Sequence, residues 1–207
     1  MTREFASGEL LEIARRGASI EANAVAEVEQ QIDESLVEAA RLIDSSAGKV
    51  IVVGSGTSGT IGRRLAHLLS VSGTPGLYVH PMDALHGTMG AIESDDVVIA
   101  LSKGGESDEI NQLCRLLDAQ ECVIIGIGEN PESTLAGLSR LYIHLHTIDQ
   151  ADPENTLAMG STLVTAVWGD ALARVLMHMH GWRVEQSLRI HPAGAVGKHA
   201  GEARSDG

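Results

Sequence analysis

The stretch that decides the fold is Lys49-Val50-Ile51-Val52-Val53-Gly54-Ser55-Gly56-Thr57-Ser58-Gly59, residues 49–59. An apolar run of strand length, Val50–Val53, leads into a turn rich in glycine and hydroxyl groups, and a helical pattern follows over Ser58–Val71. The same order returns at Val97–Leu101, which leads into Ser102-Lys103-Gly104-Gly105-Glu106-Ser107 and a second helical pattern. Two strand–turn–helix units of this kind predict a parallel sheet covered by helices.

The rest of the chain extends this alternation. Further short apolar runs at Leu77–Val79, Val123–Ile127 and Leu141–Leu145 give four or five strands separated by helices. We therefore expect an α/β fold with a doubly wound parallel sheet and binding sites at the carboxyl ends of its strands. Residues 1–45 are predicted to form an N-terminal arm of one or two helices. Residues 46–182 are predicted to form the binding domain, which ends in a long helix over Thr156–His180. Residues 183–207 are predicted to form a C-terminal tail, which carries His191.

Both turns have the composition of an anion site. Backbone N–H groups and hydroxyls converge on anions at helix N-termini, where the helix dipole also favours negative charge. Because the two turns belong to successive units, they predict one shared phosphate pocket. The candidate phosphate ligands are Ser55, Thr57, Ser58, Ser102, Lys103 and Ser107. The same hydroxyls could instead cap their helices, and Lys103 could be a solvated loop residue.

Three further side chains are candidates for acid–base chemistry. Glu106 is unusual within a phosphate-binding turn, where it is either a general acid or base or simply favoured by the helix dipole. His86 and His191 lie in segments of irregular backbone, where functional groups are common, although a lone histidine is more often a surface or core residue. The pairs His144/His146 and His178/His180 are predicted to be structural, and no metal site is expected, since no cysteine or carboxylate completes a zinc ligand set.

Composition excludes several classes of function. The chain has 207 residues, 43% of them apolar but only 2% aromatic, and a formal net charge of −13. This charge argues against sequence-independent binding to nucleic acid, and there is no polybasic stretch for an anionic membrane and no apolar run long enough to span one. With two cysteines, Cys114 and Cys122, a disulfide framework is not expected, and both are predicted to be small core residues of a cytoplasmic protein.

Several ordered motifs resemble the sugar isomerase (SIS) domain family, and within it most closely the arabinose 5-phosphate isomerases, here without CBS domains. The resemblance runs from about Lys49 to Lys198 and is carried by Ala84–Gly90, Ser102–Glu109, Asn130–Ala136 and His191–Gly197. It implies a five-stranded, flavodoxin-like sheet and a homo-oligomer, usually a tetramer, whose sites combine residues from more than one subunit.

The resemblance also implies isomerisation of a phosphorylated sugar between aldose and ketose through an enediolate, with no cofactor. By this likeness Ser58, Ser102 and Ser107 would bind phosphate, and Glu106, His86 and His191 would supply acid–base chemistry.

The sequence departs from this family pattern at several positions. Thr57 stands where arabinose 5-phosphate isomerases usually have lysine, and Gln150 aligns with a second family glutamate. Lys103-Gly104 replaces Asn-Ser, so one phosphate hydroxyl is lost and Lys103 is a candidate replacement for the missing charge at position 57. Met159-Gly160-Ser161 is similar to 6-phospho-3-hexuloisomerases. The alternatives are therefore isomerisation of another phosphosugar, such as a hexulose phosphate, or a phosphosugar-binding module without turnover.

Overall fold

A five-stranded, all-parallel sheet forms the centre of the molecule, as the sequence predicts. The structure is a computed structural model that describes residues 5–191, apart from the side chain of Val184. The strands are β1 (Val50–Gly54), β2 (Gly76–Val79), β3 (Val97–Leu101), β4 (Val123–Gly128) and β5 (Leu141–His144). Their order in the sheet is β2-β1-β3-β4-β5, which is the flavodoxin-like order. The doubly wound fold is thus confirmed.

Nine helices were found among the described residues. They are α1 (Ser7–Ala26), α2 (Val28–Gln31), α3 (Glu34–Asp44), α4 (Gly56–Val71), α5 (Pro81–Leu85), α6 (Asp108–Asp118), α7 (Thr134–Leu138), α8 (Gly160–Met179) and α9 (Val184–Arg189). Within this range, no helix combines the length and apolar character needed to cross a bilayer.

The alternation of side chains along each strand builds two cores, one on each face of the sheet. In β1, Val50 and Val52 pack in one core together with Trp168 of α8, while Ile51 and Val53 pack in the other, which is completed by α6 and α7. The first core also holds the buried residues of α3 and α4. Because both faces are covered, the central strands β1, β3 and β4 are apolar throughout, which is why they were recognisable in the sequence.

Two helical segments differ from their predicted form. The N-terminal arm contains three helices instead of one or two, because Asp33 accepts a hydrogen bond from the Ser35 N–H and starts a new helix at α3. The long last helix begins at Gly160 and not at Thr156, since Pro153–Asn155 form a separate 3-10 turn. The arm is continuous with the domain, because Ala24 and Leu36 are buried in the first core.

Candidate functional site

The first glycine-rich turn joins β1 to α4 and opens at the carboxyl edge of the sheet. Gly56 has a φ of 55°, a left-handed conformation that glycine adopts without strain, and α4 begins there. Ser58, in the first turn of α4, lines a cleft at this edge. Ser55 precedes the helix but makes no side-chain capping bond, and its hydroxyl lies beside Glu109, whose pKa it lowers. Thr57 is exposed.

The second turn lies next to the first, because β1 and β3 are neighbours and Gly54 is in register with Leu101. Ser102 is buried and lines the same cleft as Ser58. Its Oγ lies 3.1 Å from Oγ of Ser107, the residue preceding α6. Ser107 makes no side-chain capping bond. The alternative in which Ser55 and Ser107 merely cap their helices is therefore wrong for both residues.

The opposite wall of the cleft comes from α8, which the sequence analysis did not include among the candidate ligands. Ser161, Thr162 and Thr165 face the cleft from the first turns of this helix. The Ser161 side chain is almost buried, and the Thr165 hydroxyl donates to the Ser161 carbonyl at 2.9 Å. The Met159-Gly160-Ser161 turn was the one sequence signal for this wall. The N-termini of α4 and α8 thus lie at one cleft, and that of α6 adjoins it through the contact between Ser107 and Ser102.

Lys103 reaches the cleft but its ammonium group is already paired. Nζ donates to Asp152 Oδ2 at 2.7 Å and to Asn155 Oδ1 at 2.5 Å, and it lies 3.8 Å from Glu129 Oε2. The Asp152 side chain is only 2% exposed, and its Oδ1 accepts from the backbone N–H groups of Met159 and Ser161. Lys103 therefore ties the second turn to the start of α8.

Electrostatics in this part of the cleft depend on two carboxyl groups that the sequence analysis did not identify. Burial alone would raise the pKa of Asp152, but hydrogen bonds from Lys103 and Ser161 hold it below its usual value. Burial raises the pKa of Glu129, which follows β4 directly. Its place after a strand was the available signal, because sites in this fold lie at strand carboxyl ends.

Glu106 lies outside the cleft in the single chain. Its side chain is exposed, and its two carboxylate oxygens accept from the backbone N–H and the hydroxyl of Thr134, at 2.8 and 2.7 Å. These bonds lower the pKa of Glu106. Since Thr134 begins α7, Glu106 binds the N-terminus of that helix in the single chain.

The two candidate histidines also lie away from the cleft. His86 is exposed and lines a separate open cavity of about 330 Å³ beside the edge strand β2, together with Arg63 and Tyr78. His191 is within hydrogen-bonding distance of the Ser187 carbonyl, at 2.7 Å, and the Ser187 hydroxyl in turn donates to the carbonyl of Val71 at the end of α4.

His191 is therefore at the opposite end of α4 from Ser58. A helix of 16 residues is about 24 Å long, so one chain cannot bring the two together. Residues 192–197 of the His191 motif lie outside the described residues.

Within residues 5–191, the remaining histidines and the two cysteines do not line the cleft. In the part of the chain that the structure describes, no group of three or more His, Cys, Asp or Glu side chains could hold a metal ion. His180 Nε2 lies 3.1 Å from Asp44 Oδ1. Cys114 and Cys122 are free and buried, which confirms that they are core residues.

Fold and cleft together define a doubly wound α/β domain with a hydroxyl-lined site at the carboxyl edge of its sheet. Residues 44–173 match the family model described as "SIS domain". The chain belongs to the SIS domain family, as the sequence motifs indicate.

Characterised relatives match most of the chain. It is 39% identical over 185 residues to the arabinose 5-phosphate isomerase KdsD of Pseudomonas aeruginosa, an alignment that covers 89% of this chain and 57% of the relative. KdsD of Escherichia coli K12 is 37% identical over 180 residues, with 87% and 55% covered. The chain thus spans about half the length of the curated relatives it matches.

Two solved structures share the fold over their whole length. A candidate sugar-phosphate isomerase from Listeria monocytogenes superposes with a TM-score of 0.87 at 30% identity, covering 92% of this chain and 100% of that one. The c3406 protein of E. coli CFT073, solved in complex with arabinose 5-phosphate, gives 0.86 at 29% identity, with 91% and 100% covered.

Proposed function

We propose that this protein is an isomerase that interconverts the aldose and ketose forms of a phosphorylated sugar. The substrate pair is arabinose 5-phosphate and ribulose 5-phosphate, or a close analogue, and the reaction passes through an enediolate. The observation that carries the proposal is the Ser102 hydroxyl, which lines the same cleft as Ser58 and lies 3.1 Å from the hydroxyl of Ser107. The relatives named arabinose 5-phosphate isomerase support the choice of sugar.

The phosphate of the substrate binds to the two turns at the edge of the sheet. Ser58, Ser102 and Ser107 donate their hydroxyls, and the N-termini of α4 and α6 supply backbone N–H groups and favourable dipoles. Ser55 and Thr57 belong to the same turn and complete the set. Lys103 contributes little positive charge to phosphate binding, because its ammonium group already donates to Asp152 and Asn155.

Proton transfer to the sugar is assigned to Glu106, and His86 and His191 assist in ring opening or in shuttling protons. The proposal includes neighbouring copies, an arrangement supported by the position of His191 at the opposite end of α4 from Ser58. The proposed active form is a homo-oligomer with sites shared between subunits, a tetramer as the family resemblance implies. We further propose that it acts in the cytoplasm, in keeping with its two free cysteines.

Proton NMR in D₂O with a panel of pentose and hexose phosphates tests the function. Interconversion of arabinose 5-phosphate and ribulose 5-phosphate, with deuterium entering beside the carbonyl, is the expected result. Conversion of a hexulose phosphate instead would support the 6-phospho-3-hexuloisomerase alternative. Binding without conversion would contradict the isomerase and favour a phosphosugar-binding module, which the exposed position of Glu106 would explain.

Mixed oligomers test the shared sites. His86→Ala and His191→Ala variants are each expected to be inactive alone. Mixing them should restore part of the activity, because some sites then receive both intact histidines from different subunits. Hybrids that form but remain inactive would contradict the shared-site arrangement.

A further inference from the structure

Glu129 is a carboxyl group inside the cleft to which neither the sequence nor the proposed mechanism gives a function. It follows β4, and its backbone N–H donates to the Lys103 carbonyl at 2.7 Å. The neighbouring Ser102 N–H donates to the Ile127 carbonyl at 3.1 Å. The ends of β3 and β4 thus place Glu129 one strand away from the phosphate ligand Ser102, on the wall of the same cleft.

The hydrogen bonding of Glu129 is incomplete. Its Oε1 atom is buried and accepts no hydrogen bond of normal geometry from the described residues. Its Oε2 atom lies 3.8 Å from Lys103 Nζ, beyond hydrogen-bonding distance, whereas Asp152 and Asn155 bond that ammonium directly. Lys103 therefore does not depend on Glu129 for a partner. A buried oxygen without a partner is costly for the fold, and it is explained if a ligand supplies the hydrogen bond.

We propose that Glu129 is an additional acid–base residue of this site, which exchanges a proton with the oxygen atoms of the bound sugar. This inference rests on the proposed isomerase function. While a base removes the C2 proton of the open-chain aldose, the Glu129 carboxyl donates its proton to the C1 carbonyl oxygen, and an enediol forms. The base then returns its proton to C1, and the Glu129 carboxylate takes the proton from the C2 hydroxyl, which becomes the ketone. Both groups end as they began.

The surroundings of Glu129 suit an acid that must give up and regain a proton. Burial raises the pKa of Glu129, and the negative charge of Asp152 acts in the same direction. The charge of Lys103, the backbone N–H of Thr147 and the charge of His146 oppose this effect without cancelling it. The carboxyl group is therefore easier to protonate than an ordinary glutamate, and its carboxylate has a cation 3.8 Å away once the proton leaves.

The test compares Glu129→Gln with the unchanged protein in the isomerisation of the phosphosugar that the NMR panel identifies. We expect kcat to fall about 100-fold, the usual contribution of a general acid. The decline of kcat at high pH, which reports the loss of the acid's proton, should disappear. The affinity for the phosphosugar, measured by calorimetry, should change little, and Glu129→Asp should keep part of the activity and the alkaline decline.

The control is Glu93→Gln, the same substitution at an exposed residue that precedes β3, at the amino ends of the strands. This variant should keep the kcat of the unchanged protein. A Glu129→Gln protein that keeps the wild-type kcat and pH profile would overturn the role of Glu129 while leaving the isomerase intact. Absence of turnover by the unchanged protein would overturn both. A lower kcat with an unaltered pH profile would also contradict the proposal, because it would indicate positioning and not proton transfer.

Discussion

The ion pair between Asp152 and Lys103 is expected to stabilise the fold by more than an ordinary surface ion pair. We consider Asp152→Asn, which keeps an oxygen to accept from the Met159 and Ser161 backbones but removes the charge. Breaking a buried ion pair costs about 3–5 kcal/mol. The Asp152 side chain is 2% exposed but that of Lys103 is 23% exposed, so water can partly replace the lost partner. We therefore expect the free energy of unfolding to fall by about 3 kcal/mol.

Asp152→Ala should cost more, since it also leaves two backbone N–H groups without an acceptor. At about 1 kcal/mol for each lost hydrogen bond, the total loss is about 5 kcal/mol. Equilibrium unfolding in urea, followed by circular dichroism at neutral pH, measures both values. The matched control is Asp170→Asn, whose partner Arg64 is exposed, with side chains 38% and 48% accessible. That change should cost less than about 1 kcal/mol.

Equal decreases in the free energy of unfolding for Asp152→Asn and Asp170→Asn would refute the reasoning. They would mean that water screens the Asp152–Lys103 pair as fully as the exposed Asp170–Arg64 pair. The order of the two Asp152 variants is a second check. If alanine were no worse than asparagine, the two backbone hydrogen bonds at the start of α8 would not contribute.

Three further predictions concern single residues. Gly105→Ala should lower the free energy of unfolding by about 2 kcal/mol, because the backbone φ is 72° and a Cβ would overlap the side chain of Ser133. Its control is Gly104→Ala, where a Cβ meets open space. That change should leave the free energy of unfolding unaltered in the same urea assay. Burial raises the pKa of Cys114 to about 12, and Cys122 is also buried. Neither thiol should react with an aromatic disulfide reagent until urea unfolds the protein. Rapid reaction in buffer would contradict their burial. Burial alone would raise the pKa of Asp96, but hydrogen bonds from the backbone and from a lysine side chain hold it below its usual value. The stability it contributes is therefore present above the unfolded pKa of about 3.9 and is lost as the pH falls through the folded pKa, so Asp96→Asn should flatten the acid side of the stability–pH curve.

The sheet was predictable because buried parallel strands leave a strong local signal. Val97–Leu101 was predicted and observed with the same bounds, since an unbroken apolar run of this length between two turns is typical of a buried strand. The short α5 was not predicted. Its start depends on His80, whose Nδ1 accepts from the Met82 N–H at 3.2 Å, and five residues are too few for a periodic pattern. The start of α8 was misplaced because it is fixed by Asp152, a contact that no local pattern indicates.

The candidate site was predictable to the extent that its residues follow strands. Ser58 and Ser102 were found for this reason, and both line the cleft. Asp152 lies in a loop and acquires its importance only through Lys103, which is 49 positions away in the chain. The role of Glu106 stays a prediction. In the single chain its carboxylate accepts hydrogen bonds from Thr134 at the N-terminus of α7, a contact that no local pattern indicates.

The distribution of charge around the cleft has a consequence for how the proposed substrate binds. At one end Lys103 lies between Asp152 and Glu129, so its charge is already balanced, whereas the other end presents hydroxyls and the positive ends of helix dipoles. The phosphate of the proposed substrate would therefore bind at the second end. With the phosphate of the proposed substrate on Ser102, the carbon chain of the sugar would extend toward Glu129. The arrangement that would give phosphate one place to bind would therefore also give the reacting carbons one direction in which to lie.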